Sequence, residues 1–140
     1  MADPTYALQV AIAAALLADS GVTALVGTAV VDPLSAPNAA YPFVEIGDDE
    51  VIDETNTYSS LVEVHSTIHV WADGPSGRLL AKQISNEIGR VLASPITLDG
   101  HLMVSAKPHT ARHMLDGDMT NQGQIAHSIL VFQFRTVPAN

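Results

Sequence analysis

The sequence predicts an α+β fold: a twisted, mostly antiparallel sheet packed against two helices, with a long C-terminal β-hairpin. Three observations predict it. Two stretches repeat apolar residues at helical spacing, other stretches alternate apolar and polar residues as strands do, and the order along the chain is helix, strands, helix, strands. A chain of 140 residues is long enough to bury one core, so residues 1–140 are predicted to form a single domain.

The first helix is expected to begin at Asp3-Pro4, because aspartate is a good N-cap and proline is tolerated in the first turn. Gly21 is the predicted stop, and residues 22–27 are expected to add no more than one short turn. The apolar residues at helical spacing are Leu8, Ile12, Ala15 and Leu16.

Two strands around a polar turn are predicted after a brief strand at 28–32 and a proline-rich loop at 33–42. Residues 43–52 and 61–71 are the strands, and residues 53–60 are the turn. The second strand alternates most clearly, which predicts one face toward the core and one face away from it. Its apolar face carries Val62, Val64, Ile68 and Val70, and its polar face carries Glu63, His65, Thr67 and His69.

A second helix and a hairpin complete the predicted fold. Ser76 is a suitable helix start, and Pro95 closes the segment soon after the helix. The apolar residues at helical spacing are Leu80, Ile84, Ile88, Val91 and Leu92. The hairpin is predicted to rise over residues 101–115, turn over 116–123 and return over 124–136.

Composition excludes several classes of function. Six Lys and Arg stand against fifteen Asp and Glu, and the cations are spread singly, so no basic patch for holding nucleic acid is predicted. The absence of cysteine excludes disulfides, thiolate zinc sites and cysteine nucleophiles. The apolar run at 7–18 is too short to cross a membrane and follows no basic segment, so neither membrane insertion nor a secretory signal is expected.

The histidines do not form a predicted metal or catalytic site. His65 and His69 share a strand face, but four residues of strand separate them by roughly 13 Å. That is too far for two imidazoles bound to one zinc at about 2.0–2.1 Å per bond. His113 and His127 would lie opposite each other only in one register of the hairpin. No G-x-S-x-G, G-x-G-x-x-G or P-loop pattern is present, so no cofactor and no catalytic residue are predicted.

A cluster of acids permits two interpretations. One is a solvated hairpin tip that keeps the protein soluble. The other is a surface that repels DNA instead of holding it. The cluster consists of Asp48, Asp49, Glu50, Asp53 and Glu54, within seven positions.

Three stretches, taken in order, resemble small tail-completion proteins of long-tailed bacteriophages and related gene transfer agents. Residues 15–47, "ALLADSGVTALVGTAVVDPLSAPNAAYPFVEIG", resemble the family's opening helix and first long strand. Residues 65–92, "HSTIHVWADGPSGRLLAKQISNEIGRVL", resemble a strand ending in "hvW" and the helix after it. Residues 98–136 resemble the closing hairpin. The "APNAAYP" loop departs from the more compact approach that the family pattern leads us to expect.

The resemblance implies a structural virion protein called a tail terminator. Such a protein would form a homo-hexameric ring that caps the tail tube, and would dock to the head connector or adaptor protein at the head–tail junction. Before assembly it would reside in the host cytoplasm. The family offers no catalytic residues to carry over. DNA would pass through the ring without specific binding.

The resemblance also gives the acids and three other residues expected roles. Some of Asp48, Asp49, Glu50, Asp53 and Glu54 would line the channel. Arg112 and Arg135 would either face acids of a neighbouring subunit or be ordinary surface arginines. Trp71 is expected in the core at the end of its strand, with an interface position as the alternative. Other readings stay open: a head-side connector or adaptor, a small metal-dependent hydrolase using His65 or His69, and a small-molecule-binding domain.

Overall fold

The computed structural model describes residues 2–31, 40–116 and 125–139, and Val31 and Asp116 by their backbone alone. Three helices and five strands occupy these residues. In chain order they are α1 (Thr5–Ala18), α2 (Ser20–Val26), β1 (Val30–Val31), β2 (Phe43–Asp53), β3 (Val62–Asp73), α3 (Gly77–Leu92), β4 (His101–Asp116) and β5 (Ile125–Pro138).

The strands form one sheet in the order β1-β2-β3-β5-β4. β2, β3, β5 and β4 are antiparallel to their neighbours, and the two-residue β1 runs parallel to β2. β4 and β5 form the long C-terminal hairpin. The predicted α+β class, the mostly antiparallel sheet and the hairpin are therefore confirmed. The predicted turn of that hairpin lies mostly outside the described residues, as does most of the 33–42 loop.

The core lies between the helices and one face of the sheet. β3 alternates as predicted: Val62, Val64, Ile68 and Val70 are buried under the helices, and the odd-numbered residues face away from them. β2 likewise turns Val44 and Ile46 to the core. The helices contribute chiefly the buried residues Leu8, Ile12, Leu16, Val22, Ile84, Ile88 and Leu92.

The N-terminal helical region differs from the prediction. α1 ends at Ala18, and Asp19 starts a separate helix, α2, by accepting a hydrogen bond from the Val22 N–H at 3.0 Å. Gly21 lies inside α2 and does not stop a helix. A Cβ atom at Gly21 would lie 2.5 Å from Glu87 Oε2 and 2.8 Å from Arg90 Nη2, so a larger residue there would displace the ends of these two α3 side chains.

Bulges interrupt both outer long strands. The register of β2 against β3 shifts between Ile46 and Asp49. The register of β4 against β5 shifts twice, between Met103 and Ser105 and between Pro108 and Thr110. Each bulge leaves extra residues unpaired and bends its strand locally.

Among the described residues, no single helix is both long and apolar enough to cross a membrane. α1 and α2 reach the required length and hydropathy only when taken together, and they meet at a bend of 83°.

Candidate functional site

The face of the sheet opposite the helices, here called the open face, carries the polar side of β3. Glu63, the second residue of β3, is only 7% exposed on this face. Its Oε1 accepts hydrogen bonds from Arg135 Nε at 3.0 Å and from Gln133 Nε2, and its Oε2 lies 3.0 Å from His65 Nε2. The two donors on β5 reach Glu63 because they lie directly or diagonally opposite it in the β3–β5 register.

A second group on the open face is built around His127. His127 Nε2 lies 2.8 Å from His69 Nδ1, so one of the two nitrogens donates a hydrogen bond to the other. The ring of Trp71 stacks on His127 with 3.7 Å between centroids and 11° between planes. Trp71 Nε1 also donates to Glu45 Oε1 at 3.4 Å.

The expectation that Trp71 lies in the core is therefore wrong. Trp71 is half-buried and lies on the open face, because its odd position in β3 points away from the helices. Its partners His127 and Glu45 come from the two neighbouring strands, β5 and β2. The sequence alternation already indicated this face, but the indole's apolar character suggested the other.

His65 and His69 share a strand face, as predicted, and belong to different side-chain groups. The ring of His65 lies 4.8 Å from that of His109, and its Nδ1 lies 3.7 Å from Glu50 Oε1. His69 contacts His127. Among the described residues, no three His, Asp or Glu side chains come together in a way that could hold a metal ion.

His113 and His127 do not lie opposite each other. His113 pairs in register with Ser128, and His127 pairs with Met114, so the two histidines occupy opposite faces of the hairpin. On the helix side, His113 Nδ1 lies 2.6 Å from Ser128 Oγ. Partial burial, followed by the charge of Lys82, lowers the pKa of His113.

The acidic cluster lies mostly within β2, so it is not simply a hairpin tip. Asp48 lies in the bulge, and Asp49 and Glu50 are the next two residues of β2. Asp53 is the last residue of the strand, and Glu54 follows it. Alternation along β2 places neighbouring acids on opposite faces of the sheet, and the bulge decides which face each acid takes. Asp49 and Asp53 pair with Ser66 and Val62 on the helix side, and Glu50 pairs with His65 on the open face.

Two of these carboxyl groups have shifted pKa values. Partial desolvation opposite Ser66 raises the pKa of Asp49, and the nearby charges of Asp3 and Asp48 raise it further. Hydrogen bonds from Thr55 lower the pKa of Asp53, and the Thr55 N–H donates to Asp53 Oδ1 at 2.9 Å. The cluster therefore does not ionise as five equivalent carboxyl groups.

The two arginines predicted at an interface have different surroundings. Arg135 is engaged within the chain by Glu63, although its side chain remains 42% exposed. Arg112 is exposed on β4, and the described part of the chain gives it no ion pair. It pairs in register with Ile129 on the open face.

The outer side of α1 is an exposed apolar surface. The helix contains no charged residue between Thr5 and Ala18. Its buried stripe faces the sheet, while Tyr6, Val10 and Leu17 are 84%, 54% and 41% exposed on the outer side. Helices that are apolar all round are usually buried on all sides, so this surface is unusual for an isolated domain.

The fold defines a small two-layer α+β protein, with helices on one face of the sheet and a polar network on the other. The family model of "Tail completion protein gp17" matches residues 10–137. The chain therefore belongs to the tail-completion protein family and is a structural component of a virion tail. None of the curated proteins compared with the chain matches it.

Two solved structures extend the similarity to the whole fold. A chain from a structure described as the virion of a native gene transfer agent particle superposes with a TM-score of 0.80 at 25% identity. The match covers 98% of this chain and 99% of that chain. The gp17 protein of bacteriophage SPP1 superposes with a TM-score of 0.61 at 25% identity, covering 97% and 91% of the two chains.

Proposed function

We propose that this protein forms a ring that caps the tail tube and joins it to the head connector. The observation that carries the proposal is the family match over residues 10–137, together with a structural likeness to a chain of a gene transfer agent virion over nearly the full length of both chains. The partners would be other copies of this chain, the tail tube protein and the head connector or adaptor protein. The role is structural and not enzymatic.

Some of the five acids in and after β2 are proposed to line the channel of that ring. DNA phosphates moving past carboxylates are repelled and not retained, so an acidic lining favours passage. Asp48, which lies in the bulge, and Glu54, which follows the end of β2, are the acids proposed for this role. A ring structure in which all five acids of the cluster face the outer solvent would remove this part of the proposal.

Arg112, Arg135 and Trp71 are proposed to lie at subunit contacts. Arg112 suits the role best, because it is exposed and has no ion pair within the described residues. Arg135 would have to share its guanidinium between Glu63 and a neighbour. Trp71 would present the exposed part of an indole that His127 and Glu45 already hold in place, and such a preordered aromatic side chain suits an interface.

Labelling of purified particles tests the proposal. A gold-tagged antibody against this protein, viewed by negative-stain microscopy, should mark the head–tail junction and no other part of the particle. Intact tailed particles without label there would overturn the proposal.

A related role on the head side is distinguished by incomplete particles. A tail terminator should be found on the ends of headless tails, because it binds the tube. A head-side connector or adaptor should be found on tailless heads. The same antibody applied to both fractions separates the two roles.

A further inference from the structure

We infer that neighbouring copies dock through opposite edges of the sheet, with the cations that flank β4 of one copy facing the acids that flank β2 of the next. The inference rests on the proposed ring and names the surfaces that build it. It also assigns Asp49, Glu50 and Asp53 to a contact between subunits and not to the channel.

The cations without an ion pair are concentrated beside one edge of the sheet. Arg90 is bound by Asp19 and Glu87, and Arg135 is bound by Glu63. The remaining four cations have no ion pair within the described ranges and belong to α3 and β4. They are Arg78, Lys82, Lys107 and Arg112.

These four cations lie on both sides of the β4 edge. Lys107 and Arg112 pair in register with Gln133 and Ile129, which places them on the open face. Lys82 acts electrostatically on His113, which faces the helices, so it lies on the helix side of β4. Arg78 precedes Lys82 by four residues in α3 and therefore shares its helix face.

The acids are arranged in the same way about the opposite edge. β1 covers β2 only at Val44 and Glu45, so within the described residues the rest of β2 has no strand partner on that side. Asp49 and Asp53 lie on the helix side of this edge and Glu50 lies on the open face. One edge thus carries cations on both faces and the other carries acids on both faces.

Opposite edges of one sheet make a head-to-tail contact between copies, and such a contact closes into a ring when the rotation permits. Continuous backbone pairing is disfavoured, because Pro108 and two bulges interrupt β4 and one bulge interrupts β2. The contact is therefore made mainly by side chains. The β4 edge is basic and the β2 edge is acidic, so the two edges attract each other although the whole protein carries a net charge of −9.

Charge reversal on each edge tests the inference. The β4-reversed variant is Lys107→Glu with Arg112→Glu, and the β2-reversed variant is Glu50→Lys with Asp53→Lys. Each variant alone places like charges against each other at the reversed positions and should sediment as a monomer. An equimolar mixture should recover the wild-type ring mass, with the two variants alternating around the ring, and native mass spectrometry should find equal numbers of each.

A matched control is Asp73→Lys with Asp99→Lys. It changes the net charge as much as the β2-reversed variant does, at two exposed positions outside β2 and β4. It should retain the ring mass. A chain carrying all four edge reversals should also form rings with itself, which shows that the reversed side chains still permit folding.

Three results would overturn the inference: single-edge variants that keep the ring mass, a mixture that stays monomeric, or wild-type protein that is monomeric at every concentration tested. A β4-reversed variant that keeps the ring mass but loses retention of double-stranded DNA in a filter assay would assign these cations to DNA instead. Antibody label at the head–tail junction, together with any of these results, would leave the proposed function intact and remove only the edge contact.

Discussion

Glu63 forms hydrogen bonds with three side chains of the open face, those of Arg135, Gln133 and His65. Burial alone would raise the pKa of its carboxyl group, but hydrogen bonds from Arg135, Gln133 and His65 outweigh burial and lower it. A carboxyl group whose pKa is lower in the folded state stabilises the fold above its unfolded pKa, about 4.3. That stabilisation is lost as the pH falls through the folded value.

Replacement of Glu63 should therefore be costly near neutrality. Glu63→Gln preserves the shape but removes the charge that three partners share, and should lower the free energy of unfolding by about 1–3 kcal/mol at pH 7. The difference from wild type should begin to shrink below the unfolded pKa, about 4.3, and disappear as the pH falls through the lower folded pKa. Urea unfolding of both proteins at pH 7 and at a pH below about 4 measures this difference in the free energy of unfolding.

Glu50→Gln is the control for this prediction. Glu50 lies on the same face, but its side chain is 72% exposed and its nearest ion-pair atom is 3.7 Å away. Exposed pairs of this kind contribute little. Equal losses in the two variants would show that the Glu63 network is not an important source of stability.

A second prediction concerns His113, whose pKa is lowered by partial burial and by the charge of Lys82. A histidine with a depressed folded pKa contributes stability above its unfolded pKa, about 6.5, and that stability is lost as the pH falls. Lys82→Gln removes one cause, so NMR titration of the His113 ring should show a higher pKa. Arg112→Gln, which removes a charge from the opposite face of β4, should change it less, and an equal rise in both variants would contradict the assignment.

At the scale of the elements, Asp19 joins three helices. Its Oδ2 accepts from the Val22 N–H at the start of α2 and from Arg90 Nη2 of α3, at 3.0 and 2.6 Å. Its pKa is lowered first by the Arg90 hydrogen bond. The residue that ends α1 therefore also orients α2 and anchors both against α3.

Two substitutions separate these roles of Asp19. Asparagine retains N-cap ability but loses the charge, and alanine loses both. The melting temperature should fall in the order wild type, Asp19→Asn, Asp19→Ala. Arg90→Gln removes the ion pair with Asp19 and the one with Glu87, so its melting temperature should be no higher than that of Asp19→Asn. Identical melting temperatures for the asparagine and alanine variants would show that the cap contributes nothing.

At the scale of the whole molecule, ring formation should be visible in thermal stability. Assembly stabilises only the folded chain, so the melting temperature should rise with protein concentration. The rise should weaken as salt increases from about 0.05 M to about 0.5 M, because exposed charges are then more strongly screened. Differential scanning calorimetry over a concentration series measures both dependences.

The β4-reversed variant is the control for that experiment. Its melting temperature should be independent of concentration, as expected for a monomer. A wild-type melting temperature that does not change with concentration would contradict association of the free protein.

Local pattern determined much of the fold. Alternation in β3, helical spacing in α3 and the turn residues between elements were enough to predict the α+β class, the C-terminal hairpin and the face on which His65 and His69 lie. Such patterns are informative because burial on one face of an element imposes its period on nearby residues. The order of the family-like stretches likewise indicated a tail-completion protein before any geometry was known.

The tertiary structure decided what depends on residues far apart in the chain. Register across β3, β5 and β4 separated His113 from His127 and brought Trp71 onto His127. Packing between helices brought the ends of the Glu87 and Arg90 side chains close to Gly21, and the register shift in β2 decided which face each acid takes. The sequence by itself determined which residues share a face within one element. Contacts between elements depend on strand register, bulges and the approach of helices, and these are set by packing between residues far apart in the chain.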